Sequence, residues 1–199
     1  ANRNMKLPTQ WTRDGRYIVY AERDPVSRFD LWVLPMLGAA PSGKPEVFLR
    51  SESNEYQGQL SPDGKWMAFA SDRTGRFEIY VRPFPSGDGE YTVSVTGGYQ
   101  PRWRADGKEL YFISDDLKLM AAAVKPSAAH SSSIEIGVPE VLFPTRIYRA
   151  AGGVDHYDVS ADGKRFFVVN AGDGAGTATP PLMMVTNWRA ELKPERPPC

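Results

Sequence analysis

The sequence predicts an all-β fold, a β-propeller built from four-stranded antiparallel blades. One observation is a repeat: the pair Asp-Gly occurs in four similar stretches, each with a large apolar residue three positions before the aspartate and a basic residue two positions after it. The other is that each stretch continues into short apolar runs separated by turn-forming residues. Repeats of about 40 to 50 residues that supply four strands each are typical of propeller blades. The four aspartates are Asp14, Asp63, Asp106 and Asp162.

Each repeat begins with a predicted hairpin, in which glycine accepts a positive φ and the aspartate carboxylate accepts hydrogen bonds from backbone amides. The run after the turn, such as "KWMAFA" at 65–70, is apolar on both faces, which indicates a strand covered on both sides. A polar loop leads to a third run, such as "FEIYVRPF" at 77–84, and in three copies a fourth run follows. The apolar residues before the turns are expected in the core: Trp11, Leu60, Trp103 and Val159.

We expect one partial propeller domain of about four blades over residues 1–199. The predicted blades cover 7–50, 56–97, 99–144 and 156–189. Residues 190–199 form a polar tail, and the fourth copy has only three apolar runs. An incomplete ring would expose the face of an apolar strand to water. We therefore expect that face to be covered by further blades of a larger ring upstream of Ala1, by a second copy of the chain, or by residues 1–7 closing a four-bladed ring.

The stretch "LSPDGKWMAFASDRTGRFEIYV" at 60–81 resembles the repeat of TolB-type propellers, also called WD-like repeats of bacterial proteins. The resemblance covers nearly the whole chain and is strongest at 56–96. The C-terminal "PLMMVTNWRAELK" resembles the end of propellers attached to some bacterial serine/threonine kinases. These resemblances imply a binding platform outside the cytoplasm. They place the chain in the periplasm or the extracellular space.

The composition argues against some classes of partner. Lysine plus arginine equals aspartate plus glutamate at 24 each, so no net charge attracts nucleic acid or an anionic membrane surface. No apolar run approaches the roughly 18 residues that cross a bilayer, so we expect no membrane insertion by this segment. The single cysteine, Cys199, allows no internal disulfide and no thiolate metal cluster.

The sequence gives little sign of catalysis or of a cofactor. Residues 38–44, "GAAPSGK", match part of a phosphate-binding loop, but Pro45 stands where a magnesium-binding Ser or Thr is needed. The chain has two histidines, His130 and His156, and no G-x-S-x-G motif. Its acidic loops lack the spacing of a calcium loop. We therefore expect no catalytic residues, no cofactor and no metal site.

Candidate binding residues lie in loops that should gather around one mouth of the propeller channel. Tyr56 and Tyr99 each lie seven positions before the aspartate of their repeat and are followed by glutamine. Tyrosine and arginine are enriched at interface hot spots. The predicted binding residues are Tyr56, Gln57, Arg73, Arg76, Tyr99, Gln100, Arg102, Tyr148, Arg149, His156 and Tyr157. The alternative role for each is packing at the channel mouth.

The sequence favours a non-catalytic module that binds protein or peptide, as an extracytoplasmic interaction or sensor domain. One alternative is the accessory propeller of a prolyl oligopeptidase-like serine peptidase, which gates substrates to a hydrolase domain. The tail after Trp188 disfavours this alternative, because the hydrolase would have to follow it. A sugar- or lactone-processing propeller enzyme is a third reading, disfavoured by the shortage of histidines. The full-length protein could still carry a kinase or peptidase domain.

Overall fold

The computed structural model describes residues 3–86, 89–127, 133–147 and 154–169, together with the backbone of residues 182–186. Every regular element in this part of the chain is a β-strand, and the strands form four antiparallel sheets in sequence order. We number these sheets blades 1 to 4. No helix among these residues is long and apolar enough to span a membrane.

Blades 1 and 2 each start with an inner strand and continue outward. Blade 1 contains β1 (Lys6–Trp11), β2 (Tyr17–Asp24), β3 (Arg28–Leu37), β4 (Ala40–Pro41) and β5 (Glu46–Leu49). Blade 2 contains β6 (Glu55–Leu60), β7 (Trp66–Ser71), β8 (Glu78–Pro83) and β9 (Tyr91–Thr92). In blade 2 the predicted fourth run pairs over two residues only. One further backbone hydrogen bond follows, from Val93 N–H to the Ile79 carbonyl over 2.8 Å, and the Ile79 amide then donates to the Ser94 hydroxyl over 2.8 Å.

Blades 3 and 4 differ in completeness. Blade 3 contains β10 (Tyr99–Trp103), β11 (Glu109–Ile113), β12 (Lys118–Pro126), β13 (Ile134–Ile136) and β14 (Glu140–Pro144). Blade 4 contains β15 (Tyr157–Val159), β16 (Arg165–Val169) and β17 (Leu182–Thr186). In blades 1 and 3 the long third strand pairs with two short outer strands, and the sequence did not predict β4 or β13.

The four Asp-Gly turns have the conformation that the sequence predicts. The glycines have φ between 68° and 72°. One carboxylate oxygen of each aspartate accepts a hydrogen bond from the backbone N–H two residues later, over 3.0 or 3.1 Å. In three copies a Ser or Thr hydroxyl two residues before the aspartate donates to the same oxygen. These aspartates therefore stabilise the hairpins that join the first two strands of each blade.

Apolar side chains fill the spaces between neighbouring blades. Strand β7 is buried along its whole length because blades 1 and 3 lie on its two sides, whereas β16 alternates between buried and exposed residues. Leu60 and Trp103 lie in the core as predicted, and Val159 is half-buried. The prediction for Trp11 was wrong, since its side chain is 55% exposed. Its face of blade 1 is not covered by another blade in the described part of the chain.

Candidate functional site

The structure brings together the starts of the inner strands of blades 2, 3 and 4, at the end of the blades opposite the Asp-Gly turns. We call this end the rim. Gln57 donates from Nε2 to Asp155 Oδ1 over 3.1 Å and to the Val154 carbonyl over 3.3 Å. Its Oε1 accepts a hydrogen bond from the backbone N–H of Gln100 over 2.8 Å. One side chain of blade 2 thus contacts both following blades.

Gln100 repeats this arrangement one blade further along. Its Oε1 accepts a hydrogen bond from the backbone N–H of His156 over 2.7 Å, and its Nε2 lies 3.4 Å from His156 Nδ1. The hydroxyl of Tyr157 donates to the Gln100 carbonyl over 2.8 Å. Burial raises the pKa of Tyr157 well above its usual value, so this hydroxyl keeps its proton. These contacts hold blade 4 against blade 3.

Both glutamines have a left-handed backbone, with φ of 57° at Gln57 and 58° at Gln100. Residues other than glycine occupy this region rarely, and they remain there only where surrounding contacts compensate for the strain. The pairing of each strand with its neighbour shifts register at this point, after Tyr56 in β6 and after Tyr99 in β10. The two bulges let the glutamine side chains extend toward the next blade.

An ion pair lies beside these glutamines. The guanidinium of Arg102 contacts the carboxylate of Asp155, and the two side chains are 13% and 21% exposed. Burial by itself lowers the pKa of Arg102, but the surrounding acidic groups, with the Asp155 carboxylate first among them, together raise that pKa above its usual value. Because Asp155 also accepts a hydrogen bond from Gln57, the rim contains a continuous polar cluster that joins three blades.

The two arginines of the β7–β8 loop do not join this cluster in their described contacts. Arg73 lies over the ring of Tyr80, with 3.7 Å between its Cζ and the ring centroid, and pairs with Glu90 over 2.9 Å. Arg76 pairs with Glu78 over 2.7 Å, and its side chain is 57% exposed. Both arginines therefore stabilise blade 2, and Arg76 keeps much of its surface accessible at the rim.

Four half-buried aromatic rings form a continuous row across blades 1, 2 and 3 at the rim. The ring centroids of Phe29 and Tyr56 are 4.8 Å apart, those of Tyr56 and Phe77 are 5.7 Å apart, and those of Phe77 and Tyr99 are 6.3 Å apart. The Tyr99 hydroxyl donates a hydrogen bond to Asp115. We call these four residues the aromatic row. Sequence reasoning missed both phenylalanines, although each is the first residue of the third run in its repeat.

The predicted residues therefore fall into groups with different exposure. Gln57, Gln100 and Tyr157 are buried, so they are not accessible to a partner and serve to join the blades. The side chains of Tyr56, Tyr99, Arg73, Arg76, Arg102 and His156 keep some exposure. Tyr148 and Arg149 lie outside the described residues. No three His, Cys, Asp or Glu side chains converge into a possible metal site in the part of the chain that the structure describes.

Comparison with solved structures assigns the architecture. A putative TolB from Agrobacterium tumefaciens aligns with a TM-score of 0.51 and 20% identity, over 70% of this chain and 52% of that one. The Cps50 (Swd1) β-propeller domain of Myceliophteria thermophila aligns with a TM-score of 0.57 and 10% identity, over 92% and 55% of the two chains. The chain is a β-propeller. A Mycobacterium tuberculosis puromycin-hydrolyzing peptidase also aligns, with a TM-score of 0.57 and 14% identity, over 94% of this chain and 28% of the peptidase.

These findings confirm the predicted fold class and the predicted likeness to TolB proteins, at the level of the fold. No protein-family model matches the propeller. An uncharacterized protein of Agrobacterium fabrum is 32% identical over 108 residues, which make up 53% of this chain and 35% of that protein. The propeller thus spans about a third of that relative's length and about half of the TolB structure. The resemblance of the C-terminus to kinase-attached propellers stays a prediction.

Proposed function

We propose that the chain is a non-catalytic propeller module that binds a protein or peptide at the rim. The observation that carries this proposal is the aromatic row, which is continuous across three blades and half-buried along its length. The part of each ring that stays accessible offers apolar contact area with little side-chain entropy to lose on binding. Arg76 lies at the same end of blade 2 with 57% of its side chain exposed. Tyrosine and arginine together have the composition of an interface hot spot.

The geometry of the row suits an extended peptide. Neighbouring rings are 4.8 to 6.3 Å apart, comparable with the spacing of side chains on one face of an extended chain, about 7 Å. A peptide with apolar side chains at alternate positions could therefore contact rings of two or three blades at once. The Asp115 carboxylate beside Tyr99 and the guanidinium of Arg76 supply polar contacts along the row.

The test is a selection of random twelve-residue peptides against the immobilised chain, followed by affinity measurement on variants. The double variant Tyr56→Ala with Tyr99→Ala should bind the selected peptides at least about tenfold more weakly, since each ring contributes roughly 1 kcal/mol or more of binding free energy at a hot spot. Phe48→Ala is the matched control, because Phe48 is also half-buried but packs at the Asp-Gly end, against Phe84. Equal affinity for the double variant and the wild type would refute a binding role of the row.

A second candidate is the accessory propeller of a serine peptidase. The alignment with the puromycin-hydrolyzing peptidase favours it, because this chain matches only 28% of that protein. The two candidates differ in what surrounds the propeller in the gene. Reading the open frame beyond both ends decides between them, since a hydrolase domain with a G-x-S-x-G motif would establish the peptidase. Without such a domain, the binding module stands.

The outer faces of blades 1 and 4 suggest how the ring is completed. Trp11 and Val47 on blade 1 are 55% and 42% exposed, and Phe167 on blade 4 is 41% exposed. Apolar faces of this kind pack against a neighbouring blade in a propeller. We propose that they are covered by further blades or by a second copy, in a protein that works outside the cytoplasm. Closure of blade 4 by residues 1–7 is contradicted, because Lys6 and Leu7 pair with β2 inside blade 1. Light scattering on the isolated chain then separates the two remaining cases: a dimer supports the second copy, and a monomer supports further blades.

A further inference from the structure

A cavity opens between blades 2 and 3 at the Asp-Gly end, away from the rim. Its volume is about 540 Å³, within the range of sites that hold small molecules. The walls are largely apolar and aromatic, formed by Trp66, Phe84, Trp103, Val124 and Ile134. Each of these side chains is at most 9% exposed, so the walls are fixed by packing within the blades.

The cavity exists because one repeat has a smaller residue than its neighbour at the same structural position. Phe84 of blade 2 donates its backbone N–H to the Lys65 carbonyl over 2.7 Å, and Val124 of blade 3 donates to the Lys108 carbonyl over 2.9 Å. Lys65 and Lys108 follow the Asp-Gly turns of their repeats, so Phe84 and Val124 are equivalent.

Between blades 1 and 2, Phe84 occupies this position. Its ring centroid lies 5.2 Å from that of Tyr17 and 5.8 Å from that of Phe48, both in blade 1. Between blades 2 and 3, the shorter side chain of Val124 leaves space in front of Trp66. The two interfaces thus differ at this position by a phenyl ring against an isopropyl group, and the cavity lies on the side of the smaller group.

Three lysines border the cavity: Lys65, Lys108 and Lys125. All three are exposed, and none lies in an ion pair with another described residue. Two aspartates also line the cavity; one is paired with a cation, and the other keeps its negative charge against the three lysines. Asp106 pairs with an arginine of its own turn, and Asp63 accepts hydrogen bonds from the Ser61 hydroxyl and the Lys65 amide. The entrance therefore carries an excess of positive charge over an apolar interior.

We propose that this cavity binds a small carboxylate with an aromatic or branched aliphatic body. The body would displace water from between Trp66, Trp103 and Val124, and the carboxylate would remain at the entrance near the lysine ammonium groups. Burying an apolar body between the closed walls is favourable because it removes apolar surface from water. The negative charge of the carboxylate is attracted by the lysines at the border. This site lies at the opposite end of the blades from the rim, so it is independent of the peptide-binding proposal.

The first test titrates the chain with 2-naphthoate and with its neutral analogue 2-naphthylmethanol, followed by NMR on the indole N–H resonances. We expect saturable binding of 2-naphthoate with shifts of the Trp66 and Trp103 signals. The alcohol should bind about tenfold more weakly, since three exposed charge contacts are each worth about 0.5 kcal/mol. Equal affinity for the two compounds would overturn the role of the lysines.

Variants locate the site. Val124→Phe restores the residue that blade 2 has at this position, and it should fill the cavity and weaken 2-naphthoate binding by more than about tenfold. A triple variant, with Gln at Lys65, Lys108 and Lys125, should bind about tenfold more weakly. Lys164→Gln, at the equivalent turn position of blade 4, is the matched control. Unchanged binding by both cavity variants would overturn the proposal, and the lysine variant remains informative if Val124→Phe does not fold.

Discussion

Replacing Gln100 by leucine tests whether the polar cluster at the rim holds blade 4 to blade 3. Leucine has a similar size, but it cannot accept the 2.7 Å hydrogen bond from the His156 amide or contact His156 Nδ1. A buried amide left without its acceptor costs about 1 to 3 kcal/mol. For a domain of this size, 1 kcal/mol lowers the melting temperature by about 2 to 4 °C. We therefore expect Gln100→Leu to melt roughly 2 to 12 °C below the wild type.

The assay is thermal unfolding followed by circular dichroism, with hydrogen exchange measured on the amides of His156 and Tyr157. Gln100→Asn is the matched variant, since asparagine tolerates a left-handed backbone but its side chain is one methylene too short to reach His156. Gln100→Asn should lose most of the stability that Gln100→Leu loses. If Gln100→Leu melts within about 1 °C of the wild type and exchange at His156 is unchanged, the hydrogen bonds do not hold the blades together.

Three further variants probe other parts of the structure by denaturant unfolding. Burial raises the pKa of Glu55 to about 7. The folded state therefore binds the Glu55 proton more tightly than the unfolded state does, so the free energy of unfolding should fall as pH rises from about 4.5 to 7. Glu55→Gln should abolish this pH dependence. Gly98→Ala should cost about 1 to 3 kcal/mol, because its Cβ would lie 2.7 Å from Ser94 Oγ, which is fixed by two hydrogen bonds; a neutral effect would mean that the segment around Ser94 yields. Phe84→Ala should lower the free energy of unfolding by about 3 to 5 kcal/mol, because it leaves a cavity beside Tyr17. A decrease below about 1 kcal/mol would contradict the conclusion that Phe84 fills the interface between blades 1 and 2.

Most of the fold could be predicted from the four Asp-Gly repeats. The Asp-Gly turns could be predicted because their geometry depends on adjacent residues, as the glycine φ values and the aspartate hydrogen bonds confirm. Trp11 shows the limit of that reasoning. Whether an apolar side chain is buried depends on the blade beside it, and the composition of its own strand does not specify that neighbour. The same repeat position is buried at Leu60 and exposed at Trp11.

The site was less predictable, for two different reasons. The left-handed backbone of Gln57 and Gln100 follows from hydrogen bonds to other blades, so no local pattern signals it. Phe29 and Phe77 could have been found by aligning the third runs as carefully as the turns. The equivalence of Phe84 and Val124 could be predicted only in part, because aligning the repeats by sequence does not match the two residues. The loop before the third strand is shorter in blade 3, and only the backbone hydrogen bonds match the two residues.

The side-chain hydrogen bonds described at the rim run from blades 2 and 3 to the blades that follow them, and this has a consequence for unfolding. Because Gln57 bonds to blade 3 and to the start of blade 4, blades 2 to 4 are coupled to one another, and the blades with the fewest buried contacts should open first. Blade 2, with the fully buried β7, should exchange its amide hydrogens most slowly, and blade 4 should exchange fastest. The order of exchange along the sequence would then measure how strongly each blade is coupled to the next.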